Sequence, residues 1–221
     1  ISTTLGAFGV IVDDKVKKID KDFRCSPISR SSIAGGYILN SFLIGVIMSV
    51  IAFAAGEIFI VASGGELLPF ESILKVLGMI LLTVLSASSM MFFVVSFFNS
   101  TNAYATASTI IGTLIGFITG MYLPVGSMPE GVATVVKLFP ISHAAAIFRK
   151  IFMQVPFEQT FEGVPKEAAD TAVNTLRQDL GVDFTIGSWD VSILDSILIL
   201  VASAILFYIL GIIVISRKRR V

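Results

Sequence analysis

The chain has 221 residues, of which 55% are hydrophobic and 14% charged, and its 16 basic and 16 acidic residues give a formal net charge of zero. Soluble domains carry about 25% charged residues, so this composition excludes an ordinary soluble domain and predicts an integral membrane protein. The balanced charge predicts no nucleic-acid partner. Because Cys25 is the single cysteine, an internal disulfide and a multi-cysteine metal site are excluded.

Several stretches of the chain are apolar enough to lie in a membrane. Residues 1–12 are too few to cross a bilayer at about 1.5 Å per residue, and we expect them to be the end of a spanning helix whose first part precedes this sequence. Four longer stretches lack the alternation of barrel strands, which favours helices. These predicted spans are residues 32–55, 73–98, 104–123 and 191–216. The sequence predicts an all-α, polytopic helical bundle.

Basic residues predict the orientation of these spans. Residues 13–30 hold six lysines and arginines and residues 217–220 hold four, so both segments are assigned to the cytoplasm. The connections 56–72 and 154–190 are acidic and are assigned to the outside. Within the second, residues 165–180 have the pattern of an amphipathic helix that ends before Gly181.

The predicted organisation has four parts. They are a truncated span with a cytoplasmic helix at 1–30, three spans and a re-entrant hairpin at 31–153, a small external segment at 154–190, and the last span with a basic tail at 191–221.

Residues 13–26 have the pattern of an amphipathic cytoplasmic helix, which Pro27 would end. The apolar positions are Val16, Ile19 and Phe23, and the charged positions that could set the register are Lys17, Asp20 and Arg24. One interpretation is a helix that lies on anionic membrane lipid, and another is a docking helix for a cytoplasmic subunit. Both can hold together.

Small residues recur at every fourth position of the third predicted span. They are Ser108, Gly112, Gly116 and Gly120, and a weaker repeat in the first full span consists of Ser41, Gly45 and Ser49. Such a ridge lets helix backbones approach closely, which predicts helix packing, with a flexible gating helix as the alternative. Hydroxyl groups in the second and third spans favour either a polar pathway or bonds to helix carbonyls.

The sequence carries no pattern that indicates catalysis. Ser142 and His143 are adjacent, and neighbouring residues of a helix point about 100° apart, so they do not form a nucleophile and base pair. One histidine and one cysteine supply no metal-ligand cluster, and no glycine-rich phosphate-binding loop is present. We therefore expect no enzymatic activity, no cofactor and no metal in this chain.

Residues 126–153 are apolar but interrupted. Ser127 and Glu130, with Pro129 between them, have the spacing of a capping box that starts a helix. Pro140 should break this helix after about three turns and start a second one over 141–153. Since neither half can cross alone and the next segment is acidic, we expect a re-entrant hairpin that dips into the outer leaflet and lines a pathway. The basic residues expected to reach the outer headgroups are Lys137, Arg149 and Lys150.

Two strings carry a resemblance to a known family. The string "LPVGSMPEGVATVVKLFPISHAAAIFRKIF" resembles the external re-entrant segment of type-2 ATP-binding-cassette (ABC) exporter permeases, with a step at Pro140 and His143 before an apolar helix ending at Arg149. The string "DDKVKKIDKDFRCSPISRSSIAGGYIL" is similar to the cytoplasmic loop of that family. The resemblance covers essentially the whole chain in order, although residues 154–190 are longer than the usual final external loop.

The resemblance implies a multi-pass permease of the cell (plasma) membrane that works as a homodimer or heterodimer. Partner ABC ATPase subunits would bind ATP and Mg²⁺ and hydrolyse the nucleotide, and residues 13–26 would be the ATPase-coupling helix. The absence of charges inside the predicted spans argues against an ion-coupled pump. The alternative is a non-transporting membrane scaffold or sensor that displays the external segment.

Overall fold

A computed structural model describes residues 1–19, 27–161, 165–186 and 189–217. The helices are α1 (Ser2–Ala7), α2 (Gly9–Val16), α3 (Arg30–Ala62), α4 (Phe70–Val95), α5 (Thr101–Ile118), α6 (Glu130–Leu138), α7 (Pro140–Phe152), α8 (Gln154–Thr160), α9 (Lys166–Asp179) and α10 (Ile193–Arg217). A 3₁₀ turn (Val125–Ser127) precedes α6, and two short strands, β1 (Phe184–Ile186) and β2 (Trp189–Val191), precede α10. The predicted all-α membrane fold is confirmed.

Three helical segments in the described part of the chain are long and apolar enough to cross a membrane: Ser31–Ala62, Phe70–Val95 and Ile193–Val214. The bent pair α6 and α7 passes the same test when taken as one broken span. The predicted third span is represented by α5, which has 18 residues and is not among the three. Its first turns contain threonine, asparagine and serine, which dilute its apolar character.

The first full span is longer than predicted. Helix α3 continues past residue 55 to Ala62, so Glu57 lies within a candidate spanning segment, and its side chain is buried. Its Oε2 atom accepts a hydrogen bond from the Leu68 backbone N–H at 3.1 Å. The predicted span 32–55 contains no charged residue, whereas the longer candidate span Ser31–Ala62 includes Glu57, which sequence analysis assigns to the following connection.

The chain divides into two compact units. The first comprises Ile1–Ala54, Ile80–Thr113 and Val201–Val221, and the second comprises Ala55–Met79 and Leu114–Leu200.

The first unit is packed closely around one apolar core. Its buried residues are Leu5, Phe8, Ile11, Val12, Ala34, Ile38, Met91, Phe92, Val95 and Tyr104. Gly45 is needed at a tight contact, because a Cβ atom there would lie 2.6 Å from Val84 Cγ1 and 3.0 Å from Thr4 Cγ2. One turn earlier, the Ser41 hydroxyl donates to the Thr4 carbonyl at 3.4 Å. The weaker small-residue repeat thus brings α3 close to α1 and α4.

The second unit has its own small core. The buried residues are Val125, Met128, Ala133, Val136, Ala146 and Phe184. The predicted amphipathic helix is present as α9, and Gly181 follows its C-cap with φ +67°. The N–H of Val182 reaches the Arg177 carbonyl at 2.8 Å, which completes a Schellman motif. The antiparallel pairing of β1 with β2, with Phe184 opposite Val191, was not predicted from the sequence.

Candidate functional site

The break between α6 and α7 lies at one residue, Phe139, and the two helices are bent by 90°. Pro140 causes the break because it lacks the N–H that would bond the Val136 carbonyl and forces Phe139 into an extended conformation, with ψ 129°. The Ser142 hydroxyl supplies a donor to that Val136 carbonyl. The predicted break at Pro140 is confirmed, whereas the position of the hairpin in the outer leaflet stays a prediction.

The capping box predicted for the start of α6 is not formed. Pro129 is the N-cap and no side chain caps the helix, while the Ser127 hydroxyl donates to the Pro124 carbonyl at 2.8 Å. The 3₁₀ turn and an extended Met128 and Pro129 intervene, so Ser127 and Glu130 do not form the reciprocal pair.

A capping box occurs instead at the start of α10. The Asp195 N–H donates to Ser192 Oγ at 3.1 Å, and the Ser192 N–H donates to Asp195 Oδ2 at 3.0 Å. The Ser-x-x-Asp spacing just before an apolar run is the sequence signal for it.

His143 is buried in the second unit, with 1% of its surface exposed. Its Nδ1 atom lies 3.2 Å from Ser196 Oγ, and its ring meets the Phe184 ring edge-on at a centroid distance of 5.6 Å. Ser142 and His143 thus have separate partners, as their adjacency on a helix predicts. The contacts of His143 hold α7 against Ser196 at the start of α10 and against Phe184 of β1.

The three basic residues of the hairpin bond to protein acceptors. Lys137 Nζ donates to the Thr185 carbonyl at 3.0 Å, and Lys150 Nζ pairs with Asp183 Oδ1 at 3.0 Å. An Nη2 hydrogen of Arg149 bonds the Thr119 carbonyl. Each cation thus has an acceptor in its own unit, and whether these side chains also reach lipid headgroups stays a prediction.

The glycines of the ridge predicted on α5 have different surroundings in the structure. A Cβ atom at Gly112 would meet nothing within 4 Å, and one at Gly116 would overlap the Tyr122 ring. Gly120 lies beyond the helix with φ +68°, and a Cβ atom there would be 3.0 Å from Arg149 Nη2. Gly120 therefore ends the helix, and its lack of a side chain leaves room for the Arg149 guanidinium. Ser108, Gly112 and Gly116 lie on the helix, and the packing of this ridge against another helix stays a prediction.

A cavity of about 290 Å³ lies beside the hairpin in the second unit. Its polar lining residues are Lys137, Gln178, Asp179, Asp183 and Thr185. Among the residues that the structure describes, no group of three histidine, cysteine, aspartate or glutamate side chains is arranged to hold a metal ion.

The predicted coupling helix is shorter than expected. Helix α2 ends at Val16, Lys17 is its C-cap, and Lys18 adopts φ +63°, so a single helix over 13–26 is wrong at residues 17–19. Val16 and Ile19 are exposed by 48% and 39%. The other proposed coupling residues, Asp20, Phe23 and Arg24, lie outside the described residues.

The end of α2 is fixed to two other helices of the first unit. Asp14 Oδ2 accepts a hydrogen bond from the Tyr37 hydroxyl of α3 at 2.6 Å. Lys15 Nζ donates to carbonyls at the C-terminal end of α4 and just beyond it, those of Val95 at 3.4 Å and Phe98 at 3.2 Å. A cation at this helix end is also favourable for the helix dipole. Neither contact follows from the sequence pattern, because the bonded residues are 23 and 83 positions apart.

Long apolar helices, together with a proline-broken helical pair, define an integral membrane protein of the helical-bundle class. A family model described as ABC-2 family transporter protein matches residues 1–213. The chain therefore belongs to the ABC-2 transporter family, and it is a membrane permease domain rather than an ATPase domain. No curated protein shows a significant match to the chain.

Proposed function

We propose that this chain is the membrane-spanning subunit of an ABC exporter, which moves a substrate across the plasma membrane with ATP hydrolysed by a partner subunit. The family match over residues 1–213 carries the proposal, because it covers the predicted cytoplasmic segment, the spans and the hairpin together. ATP and Mg²⁺ would bind to the partner, since the sequence has no phosphate-binding loop.

The proposed contact with the ATPase is the segment that follows α2, with Val16, Lys17 and Ile19 at its start. The exposure of Val16 and Ile19 supports this, since an apolar anchor must be accessible to enter a partner's groove. The bonds of Asp14 and Lys15 support a mechanical role. A displacement of the segment would act on α3 through Tyr37 and on the end of α4 through its carbonyls.

A second permease subunit is proposed to complete the pathway, as a homodimer or heterodimer. One side of α3 supports this, because four of its residues at successive i, i+4 positions are large, apolar and exposed: Leu39, Leu43, Ile47 and Ile51. Lipid or another subunit would cover such a face. The α6 and α7 hairpin is proposed to lie in the outer leaflet beside the pathway, since a broken helix at membrane depth needs protein or water around it.

The test is reconstitution of the full chain with a candidate ABC ATPase from the same organism. Purification of a complex whose ATP hydrolysis drives substrate movement in proteoliposomes is the expected result. The double variant Ile19→Ala, Phe23→Ala should lose ATPase association, whereas the control Val10→Ala, at another exposed apolar residue, should retain it. A folded chain that never associates with the ATPase would contradict the proposal and favour a non-transporting scaffold.

A further inference from the structure

Three consecutive residues of the external segment contact the hairpin on both sides of its break. Asp183 and Phe184 contact α7, and Thr185 contacts α6. We call residues 183–185 the clasp. They lie more than 30 positions beyond their partners in the sequence, so the contacts are tertiary and do not arise from local helix geometry.

The polar contacts of the clasp hold one lysine from each helix. Lys137 lies in the last turn of α6 and donates to the Thr185 carbonyl at 3.0 Å, whereas Lys150 lies in the last turn of α7 and bonds Asp183 at 3.0 Å. Two residues of an extended chain span about 7 Å, so the two acceptors lie near each other. A change in the angle at Phe139 that moves the two lysines apart would therefore oppose these bonds.

The apolar contact of the clasp lies between the two polar ones. Phe184 is 3% exposed and belongs to the same small core as Val136 of α6 and Ala146 of α7. Its ring also meets that of His143, in the first turn of α7. Burial of one aromatic ring against both helices stabilises the bent arrangement as a whole.

Residues that precede and follow the clasp in the same segment stabilise its conformation. Arg177 of α9 lies 3.7 Å from Asp183 Oδ2, and the Schellman motif at Gly181 fixes the chain direction just before the clasp. Pairing of Phe184 with Val191 in the two-stranded sheet holds the other side. The segment therefore has a defined conformation of its own against which the hairpin rests.

We propose that the clasp sets the angle between α6 and α7 and thereby positions the hairpin for transport. The effect on transport rests on the proposed function, whereas the effect on the angle does not. Pro140 explains why the helix breaks, but a single extended residue at the break permits many angles. The contacts of residues 183–185 select one of them. The external segment is then a positioning element of the hairpin and not a separately displayed domain.

The angle can be measured in the full-length chain by pulsed electron paramagnetic resonance. Spin labels at Thr134→Cys on α6 and Ala145→Cys on α7, in a Cys25→Ser background, report the distance between the two helices. The test variant is Lys137→Met, Lys150→Met, in which the methionines keep apolar stems but lose the ammonium donors. Lys75→Met is the matched control, because it removes a 2.7 Å ion pair with Glu71 that is remote in sequence from the hairpin.

A single narrow distance is expected for the parent, for Lys75→Met and for the conservative variant Lys150→Arg. A shifted or broadened distribution is expected for the double variant, and ATP-driven transport should fall with it. An unchanged distance distribution in the double variant would contradict the proposal that the clasp sets the angle between α6 and α7. If the double variant does not yield folded protein, Asp183→Asn takes its place, and an unchanged distance there has the same meaning.

The transport measurement separates this inference from the proposed function. A shifted distance with transport unchanged would overturn the positioning role in transport. Absence of transport in the parent complex would contradict the proposed function, and the distance measurement would still judge whether residues 183–185 set the angle.

Discussion

The Ser142 hydroxyl donates a hydrogen bond to the Val136 carbonyl, the group that Pro140 leaves without its usual helical donor. The Phe139 N–H reaches the same carbonyl at 3.1 Å. An unsatisfied carbonyl at membrane depth would cost several kcal/mol, by the general rule for polar groups in hydrocarbon, so these donors make the broken helix compatible with an apolar environment. Ser142, two positions after the proline, thus helps to satisfy the carbonyl that the break exposes.

Replacement of this hydroxyl is the first test. Ser142→Ala should lower the free energy of unfolding by about 1 kcal/mol, the usual net value of one buried hydrogen bond, because the Phe139 N–H still serves the carbonyl. A lower melting temperature of the purified chain in detergent checks this. Ser127→Ala is the control, since that hydroxyl is exposed and bonds a turn carbonyl. Equal melting temperatures for the two variants would contradict the role of Ser142.

The proline itself is tested by Pro140→Ala. Proline inside a helix costs about 3 kcal/mol or more, so its removal should make a straighter α6 and α7 accessible. We expect a longer distance between labels at residues 134 and 145 and weaker transport, with expression largely retained. The control is Pro129→Ala, because Pro129 is the N-cap of α6, where a missing N–H breaks no helical bond. The same distances and transport in both variants would contradict this account.

The orientation predicted from the basic residues can be tested by cysteine labelling. Ser63 follows α3 and Asn174 lies on α9, and both are exposed. In a Cys25→Ser background, Ser63→Cys and Asn174→Cys should react with an impermeant thiol reagent in intact cells. In the parent chain, Cys25 should react only after the cells are permeabilised. Labelling of Cys25 from outside would reverse the assignment of the cytoplasmic side.

Two glycines of the first unit form a matched pair for packing. A Cβ atom at Gly45 would lie 2.6 Å from Val84 Cγ1, whereas one at Gly112 would meet nothing within 4 Å. Gly45→Ala should therefore destabilise the chain by about 1–3 kcal/mol through overpacking. Gly112→Ala should be neutral or stabilising by up to about 1 kcal/mol through helix propensity. Melting temperatures in detergent measure both, and destabilisation by Gly112→Ala as large as that by Gly45→Ala would contradict this account.

The features that sequence reasoning found depend on local chemistry. The break at Pro140 follows from the missing N–H, and the end of α9 follows from the freedom of glycine to adopt positive φ at Gly181. The apolar runs of the three candidate spans indicate helices because they are long and uninterrupted.

The features that it missed depend on distant contacts or on competition between signals. Bonds such as Lys137 to Thr185 join residues 48 positions apart, which no local pattern shows. The spacing of Ser127 and Glu130 indicated a cap, but Pro129 took the N-cap position and the serine bonded within the preceding turn. The end of α2 came before any proline or glycine, so the amphipathic pattern did not show it.

The bonds of Asp14 and Lys15 at the end of α2 could transmit a movement of the ATPase to the helices of the first unit. A subunit without a nucleotide site must receive work through a rigid connection, and the segment after Val16 is the proposed contact. Behind it, Asp14 bonds Tyr37 at 2.6 Å and Lys15 bonds the Phe98 carbonyl at 3.2 Å. Association with the ATPase and transmission of its movement to α3 and α4 therefore depend on different residues. Mutation can separate the two.

The double variant Tyr37→Phe, Lys15→Met removes the transmitting bonds and leaves the proposed docking residues unchanged. It should co-purify with the ATPase at the parent level, hydrolyse ATP, and move less substrate per ATP hydrolysed. Hydrogen bonds to charged groups contribute about 1.5–3 kcal/mol each, so their loss should also loosen α2 measurably in hydrogen exchange. Ile19→Ala, Phe23→Ala should instead reduce co-purification itself. If both double variants lowered ATPase association equally, or if Tyr37→Phe, Lys15→Met kept the parent ratio of transport to hydrolysis, the separation of docking from transmission would be wrong.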